Sequence, residues 1–378
     1  MAGIYIHIPF CRQRCDYCGF YSQTKAGELS SDYLSALKKD FALRRGMLGS
    51  DPVETVYFGG GTPSAIPSDL HADLLRYIYN NVYLPDGLSP GEVTMEVNPG
   101  DVERGYCDSL RDIGINRLSM GVQSFDPDMR RVIGRRAEVS GDEMRRIRAA
   151  GFDNVSLDLM FGIPGQSIAL LDRDIDTMID WHPEHISTYA LTFEEDTVLW
   201  KKAERGIISP VSDELYSEMY YHIADRLKEA GYEHYEISNF ALPGRRARHN
   251  AGYWNDIPYL GIGAAAHSYD GESRSECVAD IDRYIAMTEK EDMGYVSTER
   301  LSERDKYNDC IATMLRTSDG ISQEFIRRKL GGSWARIFLE SAERMSGQGM
   351  MERCGDAFRL SRKALFISDA VMREMIVI

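Results

Sequence analysis

Three cysteines crowd into eight residues near the start of the chain, in Pro9-Phe10-Cys11-Arg12-Gln13-Arg14-Cys15-Asp16-Tyr17-Cys18. A C-x3-C-x2-C loop can wrap three thiolates around three corners of a cubane [4Fe–4S] cluster and leave the fourth iron without a protein ligand. A small chelating molecule can bind that open iron and receive an electron there. The alternative is a zinc site in which His7 or Asp16 supplies the fourth ligand. Zinc thiols usually come as paired C-x2-C units in separate loops, and the sequence has no second pair. Cys107, Cys277, Cys310 and Cys354 are scattered and read as ordinary buried or half-buried thiols. An odd total of seven suits a metal site in a reducing cytosol better than a disulfide framework.

Further polar residues sit where apolar ones are expected. Phe58-Gly59-Gly60-Gly61-Thr62-Pro63 follows an apolar run, and glycines let a backbone approach a ligand closely because no Cβ intervenes. A tight strand-to-helix turn would use the same residues. Glu96, Gln123 and Asp158 each lie in or at the end of an apolar run. A charged or amide group there is costly unless it is paired or faces a polar site. Arg135, twelve residues after Gln123, can pair with such a carboxylate or with that of a ligand, and Tyr5 is an aromatic six residues before Cys11.

Short β-rich runs at Gly3–Ile8, Thr55–Phe58, Val93–Val97, Leu118–Val122, Val155–Met160 and Ile186–Leu191 must position these residues. Amphipathic stretches lie between them, with start signals at Ser31-Asp32, Pro67-Ser68, Ser140-Gly141 and Ser167. Six strand-then-helix units predict an α/β fold, a partial (β/α)6 barrel with additional strands, with chemistry at the carboxyl ends of its strands. Beyond about residue 200 the pattern loosens into a helix over Asp213–Ala230, a strand over Glu233–Ser238 and an Arg-rich loop after Pro243-Gly244. From Leu301, helices near Arg304–Leu315, Gln323–Leu330 and Trp334–Met345 precede two β-like runs that flank Gly355. That order predicts a small winged-helix-like module, with 13 Lys and Arg against 11 Asp and Glu. The expected division is 1–210 for the barrel, 211–300 for its extension and 301–378 for the module.

A formal charge of −15 argues against a nucleic-acid binder, which needs a basic surface. No run approaches the 18 or so apolar residues of a transmembrane helix, and Met1–Phe10 lacks the parts of a signal peptide. A cytoplasmic location is expected.

The cysteine spacing, with the glycine segment after the second run, resembles the radical S-adenosylmethionine (SAM) superfamily. That resemblance implies that SAM chelates the open iron through its methionyl amine and carboxylate, and that an electron from the cluster cleaves it to a 5′-deoxyadenosyl radical. It places Tyr17 near the adenine and Gly60, Gly61 and Thr62 at the methionyl amino group, with Tyr5, Glu96, Gln123, Arg135 and Asp158 as further SAM contacts. Ile4-Tyr5-Ile6-His7-Ile8-Pro9-Phe10-Cys11, Glu96-Val97-Asn98-Pro99 and Gly121-Val122-Gln123-Ser124 look like the coproporphyrinogen III dehydrogenase branch. Members of that enzyme class carry a further cysteine two residues beyond the third; this chain has Phe20, which speaks against the decarboxylase activity. An aromatic there, with His249-Asn250-Ala251-Gly252-Tyr253-Trp254, is similar to a sister group of heme chaperones. The resemblance implies heme as a bound group with His249 as its contact, heme-acceptor proteins as partners, and an electron donor such as a flavodoxin or ferredoxin. Arg245, Arg246 and Arg248 would offer hydrogen bonds to the two propionates; a surface loop with a buried Trp anchor is the structural alternative.

Overall fold

In the computed structural model, which describes residues 1–24, 26–85 and 89–378, the six apolar runs are six parallel strands. They are β1 (Ala2–Ile8), β2 (Val53–Gly60), β3 (Glu92–Val97), β4 (Arg117–Gln123), β5 (Val155–Phe161) and β6 (His185–Ala190), each hydrogen-bonded to the next. β7 (Glu233–Glu236) and β8 (Asn239–Ala241) add an antiparallel pair beyond β6. On the other flank β9 (Tyr259–Ile262) runs parallel to β1, and β10 (His267–Tyr269), β11 (Ser273–Cys277) and β12 (Val296–Arg300) continue antiparallel. The result is one open sheet of twelve strands, in the order β12-β11-β10-β9-β1-β2-β3-β4-β5-β6-β8-β7. Among the described residues its two edges do not meet, so the partial barrel stays unclosed.

Side chains alternate across a strand, and this alternation separates two chemistries. Ile4, Ile6 and Ile8 on one face of β1 are fully buried in a core shared with Tyr33, Leu37 and Phe41 of the helix Ala26–Arg44. The opposite face carries Tyr5 and His7, then Tyr57, Glu96 and Asp158 on the following strands. Tyr5, Glu96 and Asp158 are only half-buried there. Polar residues therefore line a hollow, and apolar ones glue the helices to its outside.

Ser167 caps the helix Ile168–Asp180, as its sequence position suggests, its Oγ accepting from the Leu170 N–H at 3.3 Å. The first helix differs: it begins at Ala26, so Ser31 and Asp32 lie inside it rather than at its start. The single strand expected over Glu233–Ser238 is instead β7 and β8 joined by a tight turn. The Glu236 carboxylate accepts from the Ser238 N–H at 2.9 Å and the Asn239 amide at 2.6 Å, which holds the reversal.

Asp40 fastens the added strands to the barrel. It is fully buried and accepts from Arg44 Nη2 at 2.9 Å, Tyr284 at 2.6 Å, Tyr295 at 2.9 Å and the Gly263 N–H at 3.1 Å. Residues 303–347 form three helices, Glu303–Met314, Gln323–Leu330 and Gly332–Gly347. They carry a small sheet of β13 (Ile321–Ser322), β14 (Met351–Cys354) and β15 (Ala357–Leu360), in the order β13-β15-β14. Gly355 turns the β14–β15 hairpin with φ +62°. No described helix is long and apolar enough to cross a membrane.

Candidate functional site

The segment Pro9–Gln23 leaves the carboxyl end of β1 and returns to its own beginning. Cys11 N–H donates to the Gln23 carbonyl at 2.8 Å, and Gln23 N–H to the Pro9 carbonyl at 2.7 Å. This neck closes a loop on which Cys11, Cys15 and Cys18 are all free thiols. Burial is the main influence raising the Cys18 thiol above its usual range, and the neighbouring Cys15 and Cys11 add to it. Three thiols so close on one loop fit the donor set of a cubane cluster.

The two zinc alternatives lose their fourth ligand. His7 Nδ1 is 3.0 Å from the Tyr5 hydroxyl and Nε2 is 3.3 Å from the Tyr21 carbonyl; burial pushes its pKa down to about 4. Asp16 is paired with Lys202 at 2.6 Å. Among the described residues no three His, Cys, Asp or Glu side chains converge as a single-ion site.

The glycine segment packs under this loop. Gly61 N–H donates to the Ile8 carbonyl at 2.8 Å, and Thr62 N–H to the Phe10 carbonyl at 2.7 Å. A Cβ on Gly61 would stand 2.7 Å from the Phe10 oxygen, and one on Gly60, whose φ is +108°, 2.5 Å from the His7 ring. Both glycines are thus required by the protein's own close approach, a reason different from the ligand approach read in the sequence. Thr62 Oγ1 points at Cys11 Sγ at 3.7 Å and accepts from the Asn98 amide at 3.1 Å.

A polar chain continues across the strands from Thr62. Asn98 Oδ1 accepts from Arg135 at 3.1 Å, and Arg135 also bonds the Gly121 carbonyl and lies beside Tyr17. Glu96 accepts from the Tyr57 hydroxyl at 2.8 Å and the Gly60 N–H at 3.2 Å, and burial raises its pKa. Burial pushes the Asp158 carboxyl up to about 7, with Glu96 adding to the shift and Arg135 and Arg117 opposing it. Gln123 ends β4 beside a register shift with a left-handed φ of +69°, a strained backbone that re-aims its amide. Gln123 Oε1, Asp158 Oδ1 and Arg135 Nε are buried with no hydrogen-bond partner. Such orphans beside the polar face of the sheet fit a polar ligand of the SAM kind.

Sequence reasoning passed over two members of this face. Asn98 links Thr62 to Arg135, and its signal was its place two residues after Glu96. Arg117 is 1% exposed and, among the described residues, makes no ion pair; its signal was a cation opening an apolar strand.

His249 lies elsewhere. It opens the short helix Arg248–Trp254 at the amino ends of β1, β2 and β3, against Gly3 and Thr55, with its N–H donated to Glu92 at 2.9 Å. The length of β1 puts it about 20 Å from the cysteine loop. Both ring nitrogens are committed, Nδ1 at 2.8 Å to Thr55 Oγ1 and Nε2 at 2.8 Å to the Tyr253 hydroxyl. The ring stacks on Tyr57 at 5.1 Å, and burial pushes its pKa down to about 3. The ring is thus held from both sides, by Thr55 and by Tyr253. The three arginines upstream are also engaged: Arg245 with Asp153 at 3.8 Å, Arg246 with Asp319 at 3.0 Å and Arg248 with Glu54 at 2.6 Å.

Residues 5–178 match the radical SAM superfamily, and residues 301–367 match the HemN C-terminal domain. The chain is 31% identical to a Bacillus subtilis protein named heme chaperone HemW, over 98% of each chain. It is 32% identical to a Mycobacterium tuberculosis (strain H37Rv) protein of the same name, over 99% of this chain and 94% of that one. Among solved structures, the radical SAM enzyme coproporphyrinogen III oxidase (HemN) of Escherichia coli superposes with a TM-score of 0.84, at 20% identity. The match covers 100% of this chain and 90% of that one; it is a likeness of fold.

Proposed function

We propose a heme-carrying function for this chain, which belongs to the radical SAM superfamily, in the branch that holds the proteins named heme chaperone HemW. In this reading Cys11, Cys15 and Cys18 hold a [4Fe–4S] cluster, SAM binds beside it, and heme is bound and passed to acceptor proteins. The observation that carries the choice is Phe20. It stands 70% exposed on the cysteine loop, at the position where the porphyrinogen-decarboxylating class has a further cysteine. A phenyl ring there neither binds metal nor moves a proton.

When bound, the cluster supplies an iron with an open coordination position and a source of one electron. The chain's own groups do the rest. Thr62, placed by Asn98, lies against Cys11; Arg135, Gln123 and Asp158 present their unpaired atoms to a polar ligand; Glu96, kept neutral more readily by burial, sits near Tyr5, and Tyr17 lies beside Arg135. The exposed loop around Phe20 would receive an electron donor such as a flavodoxin or ferredoxin. Free thiols and an acidic chain support a reducing, cytoplasmic setting without nucleic acid. The same reading keeps 1–210, 211–300 and 301–378 as barrel, extension and C-terminal module.

The fold likeness to HemN makes oxidative decarboxylation of coproporphyrinogen III the second reading. Anaerobic reconstitution with iron and sulfide, followed by separate titrations with heme and SAM, tests the proposal. Stoichiometric heme binding with no protoporphyrinogen formed from coproporphyrinogen is the expected result. Clear turnover of coproporphyrinogen would overturn it.

A further inference from the structure

The neck of the cysteine loop fixes its two ends, and the turn from Cys15 to Cys18 lies between them. The Cys18 N–H closes that turn by donating to the Cys15 carbonyl at 3.3 Å. Asp16 stands inside it and is gripped from two sides. Its N–H donates to the Ile133 carbonyl at 3.1 Å, and its carbonyl accepts from the Leu199 N–H at 2.8 Å. Its carboxylate accepts from the Lys202 ammonium at 2.6 Å. Leu199 and Lys202 both belong to the short helix Val198–Glu204, with Lys202 186 residues further along the chain than Asp16.

This grip is built into the packing. Ile133 and Leu199 are fully buried in one apolar cluster with Met129, Met160, Ile163 and Leu191, and Tyr17 packs against it. One carbonyl and one N–H of that cluster therefore reach Asp16 from fixed positions. Thr197 starts the helix, its Oγ1 accepting from the Trp200 N–H at 3.2 Å. Gly134 makes room on the other side: its φ is +74°, and a Cβ there would run into the Asp16 carboxylate. The side chains of Asp16 and Lys202 are 22% and 35% exposed, so water screens their charges only in part.

We propose that the helix Val198–Glu204 is a positioning arm of the cysteine loop, and that the Asp16–Lys202 pair sets both the placement of Cys15 and Cys18 and the reduction potential of the cluster they hold. Groups behind the ligands orient them and tune the metal, and the potential of an iron–sulfur cluster follows the net charge around it. The intact pair is neutral as a unit, whereas either partner alone leaves a full charge beside the loop. Asp16 and Lys202 act through the cysteines and are positioning residues. This inference rests on the proposed cluster and adds the element that tunes it.

The test uses the full chain, reconstituted anaerobically with iron and sulfide and read by EPR at poised potentials. Lys202→Met leaves the Asp16 charge unpaired and is expected to lower the midpoint potential. Asp16→Asn leaves the Lys202 charge unpaired and is expected to raise it. The double variant removes both charges and should return to the parent potential. All three should lose iron to a chelator about tenfold faster, because the ion-pair grip is gone. Lys202→Arg should restore the parent rate. A general loosening of the fold cannot give the two single variants opposite signs. Shifts of the same sign in both, or no shift in either, overturn the assignment and leave the cluster standing. A parent chain that takes up no iron and sulfide overturns both.

Discussion

Asp158 is a carboxyl set on the polar face of β5, with one oxygen unpaired and burial pushing its pKa up to about 7. An unfolded aspartate titrates near about 3.9. The folded chain therefore holds this proton more tightly than the unfolded one. The associated stability is fully present below about pH 4 and is lost as the pH rises through about 7. Asp158→Asn removes the titration, so the melting temperature of the cluster-free variant should change less than the parent's between about pH 5 and about pH 8. Equal slopes would refute the shift. The burial of Asp158 on a strand was legible because a charge inside an apolar run is a visible anomaly. The hydrogen-bond partners of His249 were not, because a histidine satisfied on both nitrogens and a free one look alike in sequence. Its partner Thr55 is 194 residues away, and only the fold brings the two together.

At the level of elements, the six parallel strands were readable because each is an apolar run of strand length. β9 to β12 were not: they are three to five residues long, and β11 and β12 are largely exposed, so no pattern separates them from loop. Their attachment depends on Asp40, whose partners come from its own helix, from the loop after β9 and from two tyrosines beyond β11. Removing one partner of a buried charged pair leaves the other uncompensated, typically at about 3–5 kcal/mol. Asp40→Ala should lower stability by that order in urea unfolding, with Arg44 the group left stranded. A loss below about 1 kcal/mol would mean that water reaches this site.

Across the whole molecule, residues 301–378 are tied to β7 and β8 by specific bonds. Ile237 N–H donates to the Arg316 carbonyl at 3.0 Å, Ser318 N–H to the Tyr235 carbonyl at 2.9 Å, and Arg316 Nε to the buried Glu236 carboxylate at 2.9 Å. Arg316→Ala should therefore raise hydrogen exchange in 301–378 and in β7 and β8 while leaving β1–β5 unchanged. Uniform loss of protection would show instead that the chain opens as one unit. The neck of the cysteine loop carries a consequence of its own. Its closing bonds, from Cys11 N–H to Gln23 and from Gln23 N–H to Pro9, run through backbone atoms and need no sulfur. Loss of the proposed cluster would therefore leave these closing bonds in place, with the three cysteines still carried on a loop whose ends are held together.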